Sequence, residues 1–208
     1  MLRIDHVVRA VPDLDQAAAR FLDTYGLASV PGGRHPGWGT GNRLVPLGND
    51  YVELISVVDR PEAQKTEFGR TMVERIAEGE QWFAVCLADD DIDATATRLG
   101  LEISTGFRIL PDGAVVRWRS AGLGAANREP WLPFFIEWDV PPELHPARAA
   151  VTHRAVPTGI AWVELAGDSE SLQRWLGGAD LPFRMIDGKP DIRSVGIAID
   201  EGPDLKLG

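Results

Sequence analysis

Along the first 60 residues, apolar and polar positions fall into a strand, a helix and three further strands. Residues 2–11 form a β-branched run containing Ile4, Val7, Val8 and Val11, with His6 in its middle. Pro12 has no N–H to give to a sheet ladder, so the strand stops there. Asp13 can cap the helix that follows. In residues 13–25, Leu14, Ala17, Ala18, Phe21 and Leu22 lie on one helical face, and Gly26 closes the helix. Further strands are expected over residues 28–32, 42–47 and 51–57, the last two joined by the turn Gly48-Asn49-Asp50. Between them, the glycine-rich stretch from Gly32 to Gly41 reads as a loop.

The same order then repeats. Residues 82–87 read as a strand and residues 89–99 as a helix, with Ile92, Ala96 and Leu99 on one face and Gly100 as its cap. Strands are expected over residues 103–110, 114–120 and 131–138, with a turn at Pro111-Asp112-Gly113. Residues 70–77 read as a linker helix. Setting Leu14-Asp15 on Ile92-Asp93 aligns the first strands, and setting Val52-Glu53-Leu54 on Ile136-Glu137-Trp138 aligns the last ones. A proline-rich connector covers residues 141–158. A third, partial βαββ pass over residues 159–208 is expected to pack on the first two.

The chemistry-bearing residues sit at matching places in this repeat. A lone histidine in an apolar strand is more often a hydrogen-bonded core residue than a ligand, and His6 alone supports either reading. Strand alternation puts Tyr51, Glu53 and Ile55 on one face and Val52 and Leu54 on the other. A carboxylate on a buried face needs a cation or hydrogen-bond donors, and Arg43, Arg117 and Arg119 are candidates for that role. Phe135 and Glu137 are expected to share the cavity face, with Ile136 and Trp138 packed outside. His35 falls in the glycine-rich loop, which reads either as a turn or as a lid carrying an acid, base or ligand. His145 and His153 fall in the connector and read as solvent-exposed.

Taken together, Ile4-Asp5-His6-Val7-Val8 with Val11-Pro12-Asp13-Leu14-Asp15, then Tyr51-Val52-Glu53-Leu54-Ile55 and Phe135-Ile136-Glu137-Trp138, resemble the vicinal oxygen chelate superfamily of glyoxalases, bleomycin-resistance proteins and extradiol dioxygenases. The run from Gly32 to Asn42 resembles its glyoxalase-like domain branch. The resemblance implies an α+β fold in which paired βαβββ units form a cup-shaped curved sheet, with ligands converging from first and last strands. It matches His6, Glu53 and Glu137 to metal positions, implies a divalent ion such as magnesium, manganese or zinc, and gives Glu137 or His35 the proton-transfer role. One departure is already visible. The second-unit position matching His6 is Ala84, which cannot bind a metal. One histidine and two carboxylates make an oxygen-rich set, unlike the two-histidine, one-carboxylate set of iron dioxygenases. Isomerase or lyase chemistry on a small oxygenated substrate fits that set better than oxygen activation. The rival is a metal-free small-molecule binding protein of the bleomycin-resistance type, and a homodimer or noncatalytic dimerisation module is compatible with the scaffold.

Composition narrows the partners. A net charge of −10 argues against nonspecific nucleic-acid binding, which needs a basic surface. The single cysteine, Cys86, excludes disulfides and cysteine-based metal sites within the chain, and its apolar neighbours suggest burial. No apolar run approaches the roughly 20 residues that span a bilayer, and nothing at the N-terminus looks like a signal peptide. The expected location is cytoplasmic, without membrane association. Gly32-Gly33 and Gly39 make no phosphate-loop pattern, so nucleotide binding is not supported.

Overall fold

Strand β1 (Arg3–Ala10) stops at Val11-Pro12, and Asp13 caps helix α1 (Leu14–Tyr25) by accepting from the N–H groups of Asp15 and Gln16. Gly26, at φ 70°, ends α1 in the left-handed conformation that its lack of a Cβ permits. This is a computed structural model, which describes residues 1–110 and 112–208; Pro111 of the expected turn lies outside them. The first unit continues through β2 (Val30–His35), β3 (Thr40–Pro46) and β4 (Tyr51–Val57). A short helix α2 (Arg60–Ala63) and helix α3 (Glu67–Ala77) lead into the second unit. That unit comprises β5 (Gln81–Ala88), α4 (Ile92–Leu99), β6 (Ile103–Ile109), β7 (Val115–Ala121), α5 (Leu123–Arg128) and β8 (Phe134–Asp139).

The eight strands close in the order β1-β4-β3-β2-β6-β7-β8-β5. Each unit pairs its first strand parallel with its last, and β1 meets β5 antiparallel, so the two units join head to head. The other seam, between β2 and β6, is registered through Arg34 and Ile109. The sheet is therefore the curved cup of paired βαβββ units, narrowed to a barrel. Its outer face packs under α1 and α4 in one core containing Val7, Phe21, Leu54, Leu87, Ile92 and Phe135. A second cluster, with Val8, Ile55, Phe83, Ala84 and Ile136, lines the inside.

The C-terminal part forms a separate sheet in the order β10-β9-β11-β12, built from β9 (Pro157–Ala166), β10 (Phe183–Ile186), β11 (Asp191–Ile199) and β12 (Leu205–Leu207), with α6 (Ser169–Leu176). It has the element order βαβββ rather than the partial βαββ expected from sequence, but not the pairing of the first two units. Here the first strand pairs with the second and third strands instead of the fourth. Val163, Leu165, Leu172, Val195 and Ile197 join the outer core of the barrel, so both faces of several barrel strands are buried.

Two expectations about irregular segments are corrected. The stretch Gly32–His35 is strand rather than loop, leaving only a tight turn before Thr40. The connector is tied down. His153 bridges the Ala28 N–H and the Pro46 carbonyl, and His145 reaches the barrel. Neither histidine is a free surface group.

Candidate functional site

His6 points into the barrel by ordinary alternation with Val8, and a bulge just before it in β1 sets Ile4 on the outer face. Ile4 pairs with Leu87 and His6 with Cys86, so Asp5 is the extra residue. A bulge lets neighbouring side chains depart from strict alternation, and the Asp5 carboxylate turns back to the His6 ring. Asp5 Oδ1 lies 2.6 Å from His6 Nδ1, and Oδ2 accepts from Trp138 Nε1 at 2.9 Å and from His145 Nε2 at 3.0 Å. Burial by itself would raise the Asp5 carboxyl. The hydrogen bonds from His145 and His6 outweigh it and hold the group well below the usual carboxylate range. An ionised Asp5 assigns the proton of neutral His6 to Nδ1 and turns Nε2 toward the cavity. The His6 ring is stacked on Tyr51 at 4.5 Å and meets the edge of Phe134 at 5.8 Å, which leaves it little freedom.

Glu53, on β4, faces His6 with Oε2 3.5 Å from Nε2. Its other oxygen accepts from Asn42 Nδ2 at 2.6 Å. Asn42 reaches Glu53 from β3 only because residue 32 is glycine, since a Cβ there would sit 2.1 Å from Asn42 Oδ1. His35, at the end of β2, is a wall residue of the same cavity and not part of a lid. Its Nδ1 lies 3.0 Å from Thr40 Oγ1 and its Nε2 3.9 Å from Glu53 Oε1. Burial lowers the His35 pKa to about 4; Glu53 pulls it upward, while Arg108 and His6 push it down. His35 is thus neutral at pH 7. Burial, with Asp5 and Glu53 nearby, also keeps the Tyr51 phenol protonated.

The second unit supplies a different lining: Ala84, Arg108, Trp118, Ser120, Phe134, Ile136 and Trp138. Glu137 is not among them, and this corrects the sequence expectation. On β8 it is Ile136 and Trp138 that face inward, while Phe135 packs outside against Trp175. Glu137 shares the outer side with Phe135 and accepts from Arg119 Nη1 at 2.8 Å, beside Asp93. A slip of one residue in the expected face moves every side chain of a strand to the other side. Glu137 therefore neither joins His6 and Glu53 nor reaches the cavity. The three arginines considered from sequence also lie elsewhere. Arg43 bonds Ser29 and Asp15, Arg117 lies over the Phe107 ring, and Arg119 holds Glu137. The interior cation is Arg108 instead. Its sequence signal was an inverted alternation, with Phe107 and Ile109 as the exposed neighbours of a buried arginine.

A model of the glyoxalase-like domain matches residues 4–179, most of the chain. The chain belongs to that family. The fold is shared with a solved structure of low sequence identity. A hypothetical protein from Staphylococcus aureus aligns over 92% of this chain and 88% of its own, at 18% identity and a TM-score of 0.70. Methylmalonyl-CoA epimerase from Mycobacterium tuberculosis aligns over 68% and 90%, at 20% identity and a TM-score of 0.48. A methylmalonyl-CoA epimerase complexed with methylmalonyl-CoA and NH4+ aligns over 65% and 94%, at 19% identity and a TM-score of 0.47. No curated protein matches the sequence. No described helix is long and apolar enough to cross a membrane.

The glyoxalase-like family implies a divalent metal, which needs several donors converging on one point. Among the described residues, one group of three donors lies within 4.8 Å of each other: Asp5, His6 and Cys86. It is a poor cradle. Both Asp5 oxygens are taken by hydrogen bonds, and burial pushes the Cys86 thiol well up, so it stays protonated. Inside the cavity His6 Nε2 and Glu53 are the two nearest donors, and Ala84 and Ile136 bring none from the second unit. The residues present do not form a four-donor centre.

Proposed function

We propose that this glyoxalase-like protein binds a small oxygenated organic molecule in its barrel and moves a proton on it, as an isomerase or lyase does. The observation that supports this reading is the His6–Glu53 pair. A carboxylate and an imidazole nitrogen stand 3.5 Å apart on the wall of a buried cavity, with the imidazole held from behind by Asp5. The cavity measures about 60 Å³, so the reacting part of the ligand is small. Glu53 is the base. It takes a proton from a carbon next to a carbonyl, and the C–H electron pair moves to the carbonyl oxygen as an enolate. His6 Nε2 lies within reach to take that proton onward, and ionised Asp5 stabilises the imidazolium that results. Return of the proton to another carbon, or to the other face, completes an isomerisation. His35, neutral and bonded to Thr40, acts as a polar wall beside Glu53.

Deuterium exchange tests this directly. A panel of small carbonyl compounds in D2O, followed by NMR, should show exchange at a carbon next to the carbonyl with wild-type protein. Glu53→Gln should slow it by about 10²–10⁴-fold. Retained ligand binding without exchange for any compound would leave a metal-free binding protein in its place.

One observation favours a metal-assisted version with magnesium, manganese or zinc on His6 and Glu53. A carboxylate bonded to the far ring nitrogen, as Asp5 is to His6, is how ligating histidines are held. An ion that binds the folded protein raises its melting temperature. Chelator-treated protein should then gain stability from one of these ions and lose the gain in His6→Ala. No gain from any of the three would reject the metal.

A further inference from the structure

Among the described residues, Arg108 is a charge with no partner. It points from β6 into the barrel and is only 3% exposed, while its neighbours Phe107 and Ile109 are 39% and 40% exposed. Its Nε is sealed from solvent without a hydrogen-bond acceptor, and the guanidinium makes no hydrogen bond or ion pair within 4 Å to any described residue. The position is built by two strands. A Cβ on residue 33 would lie 2.7 Å from Arg108 Cγ, so β2 leaves room for the arginine stem only because that residue is glycine. Arginine does not escape burial by losing its proton. A buried, unpaired guanidinium is expensive, and such a group on a cavity wall is satisfied by something that enters the cavity.

We infer that Arg108 anchors the carboxylate of the ligand, so that the class this site takes is small monocarboxylates carrying a second oxygen group, such as 2-oxo and 2-hydroxy acids. The inference rests on the cavity assigned above and deepens it. A planar carboxylate matches the guanidinium fork. Glu53 faces the same confined space and repels a second negative charge, which disfavours phosphate and dicarboxylates. With its carboxylate on Arg108, a small acid presents its remaining oxygen and adjacent carbon to the His6–Glu53 pair.

The test is titration calorimetry with acetate, pyruvate and lactate, with pyruvamide and inorganic phosphate as controls, on wild type, Arg108→Met, Arg108→Lys and Glu53→Gln. Pyruvate or lactate should bind wild type. Arg108→Met should weaken that binding about tenfold or more, with a melting temperature unchanged or raised because an unpaired charge has been removed. Arg108→Lys should retain part of the affinity, and the neutral amide should bind about tenfold more weakly than the acid. Equal binding of pyruvamide, tighter binding of phosphate, or no binding by any of the three acids would each overturn the inference. So would a fall in the melting temperature of Arg108→Met with affinity intact, which would make Arg108 a structural counter-charge for Glu53. Glu53→Gln separates this proposal from the catalytic one. It should bind the acid at least as well as wild type while losing most of its deuterium exchange. Acid binding without exchange in the wild type would sink the catalytic reading alone.

Discussion

The two barrel units share a βαβββ strand plan, with α5 added in the second, but they place their polar groups unequally. The first places four polar groups inside, His6, His35, Asn42 and Glu53, joined through hydrogen bonds or close approach to Glu53, beside Val8, Trp38, Tyr51 and Ile55. The second places Ala84, Leu123, Ile136 and four aromatic residues there, with Arg108 as its one charge and Ser120 as its other polar group. A duplicated scaffold has thus been divided. One half holds the acid–base groups, and the other shapes an apolar wall around a single cation. The division also accounts for the mismatch with a metal centre: Ala84 stands where the first half has His6, and Glu137 lies outside the cavity.

Exchanging carboxylates between the halves should break the comparison most sharply. Glu53→Gln should lower proton exchange by about 10²–10⁴-fold, the usual contribution of a positioned base, while Glu137→Gln should leave it unchanged. NMR-detected exchange rates for both variants decide the point, and equal losses would show that the outward Glu137 matters to the site.

The seam between the units is the next place to press. Gly33 has φ 152°, and a Cβ there would meet the Ile109 carbonyl at 2.3 Å as well as the Arg108 stem. Gly33→Ala should cost about 3 kcal/mol or more in urea unfolding, from strain and overpacking together. A loss below 1 kcal/mol would mean that β2 and β6 separate easily.

A pH series sharpens the contrast between the polar and apolar halves. His35 titrates at about 4 in the folded protein, below its ordinary 6.5. Between those values the unfolded chain binds more protons, so stability should rise with pH through that window, and the penalty should be complete below about pH 4. Its size is on the order of 3 kcal/mol. His35→Gln should flatten that part of the stability–pH curve, measured by urea unfolding at each pH. A curve unchanged by the substitution would remove His35 as the source.

The smallest expected effect lies on the outer surface. The Glu137 side chain is 33% exposed and paired with Arg119. Glu137→Ala should change stability by no more than about 1 kcal/mol, as exposed ion pairs do, with a melting temperature close to wild type.

Much of this architecture is legible in the residue pattern. Pro12 and Asp13 mark the end of β1 and the start of α1, Gly26 and Gly100 close their helices, and alternation alone puts Glu53 on the same face as Tyr51. These are local effects of backbone chemistry and a two-residue period, so neighbouring residues determine them. Tertiary structure decided the rest of the site. The β8 strand is apolar on both faces because the C-terminal sheet covers its outside, so its pattern could not say that Ile136 faces in and Glu137 out. The Asp5 bulge depends on pairing with a strand 80 residues away. The Asp5–His145 bond closes a loop of 140 residues. Arg108 looks like a surface residue until β6 curves to put its apolar neighbours outside. The sequence alone determined the order of elements, their family and three of the residues that meet in the cavity, His6, His35 and Glu53. Which charge opposes them, and which carboxylate stays away, followed from strand register and long-range closure, which no local pattern encodes.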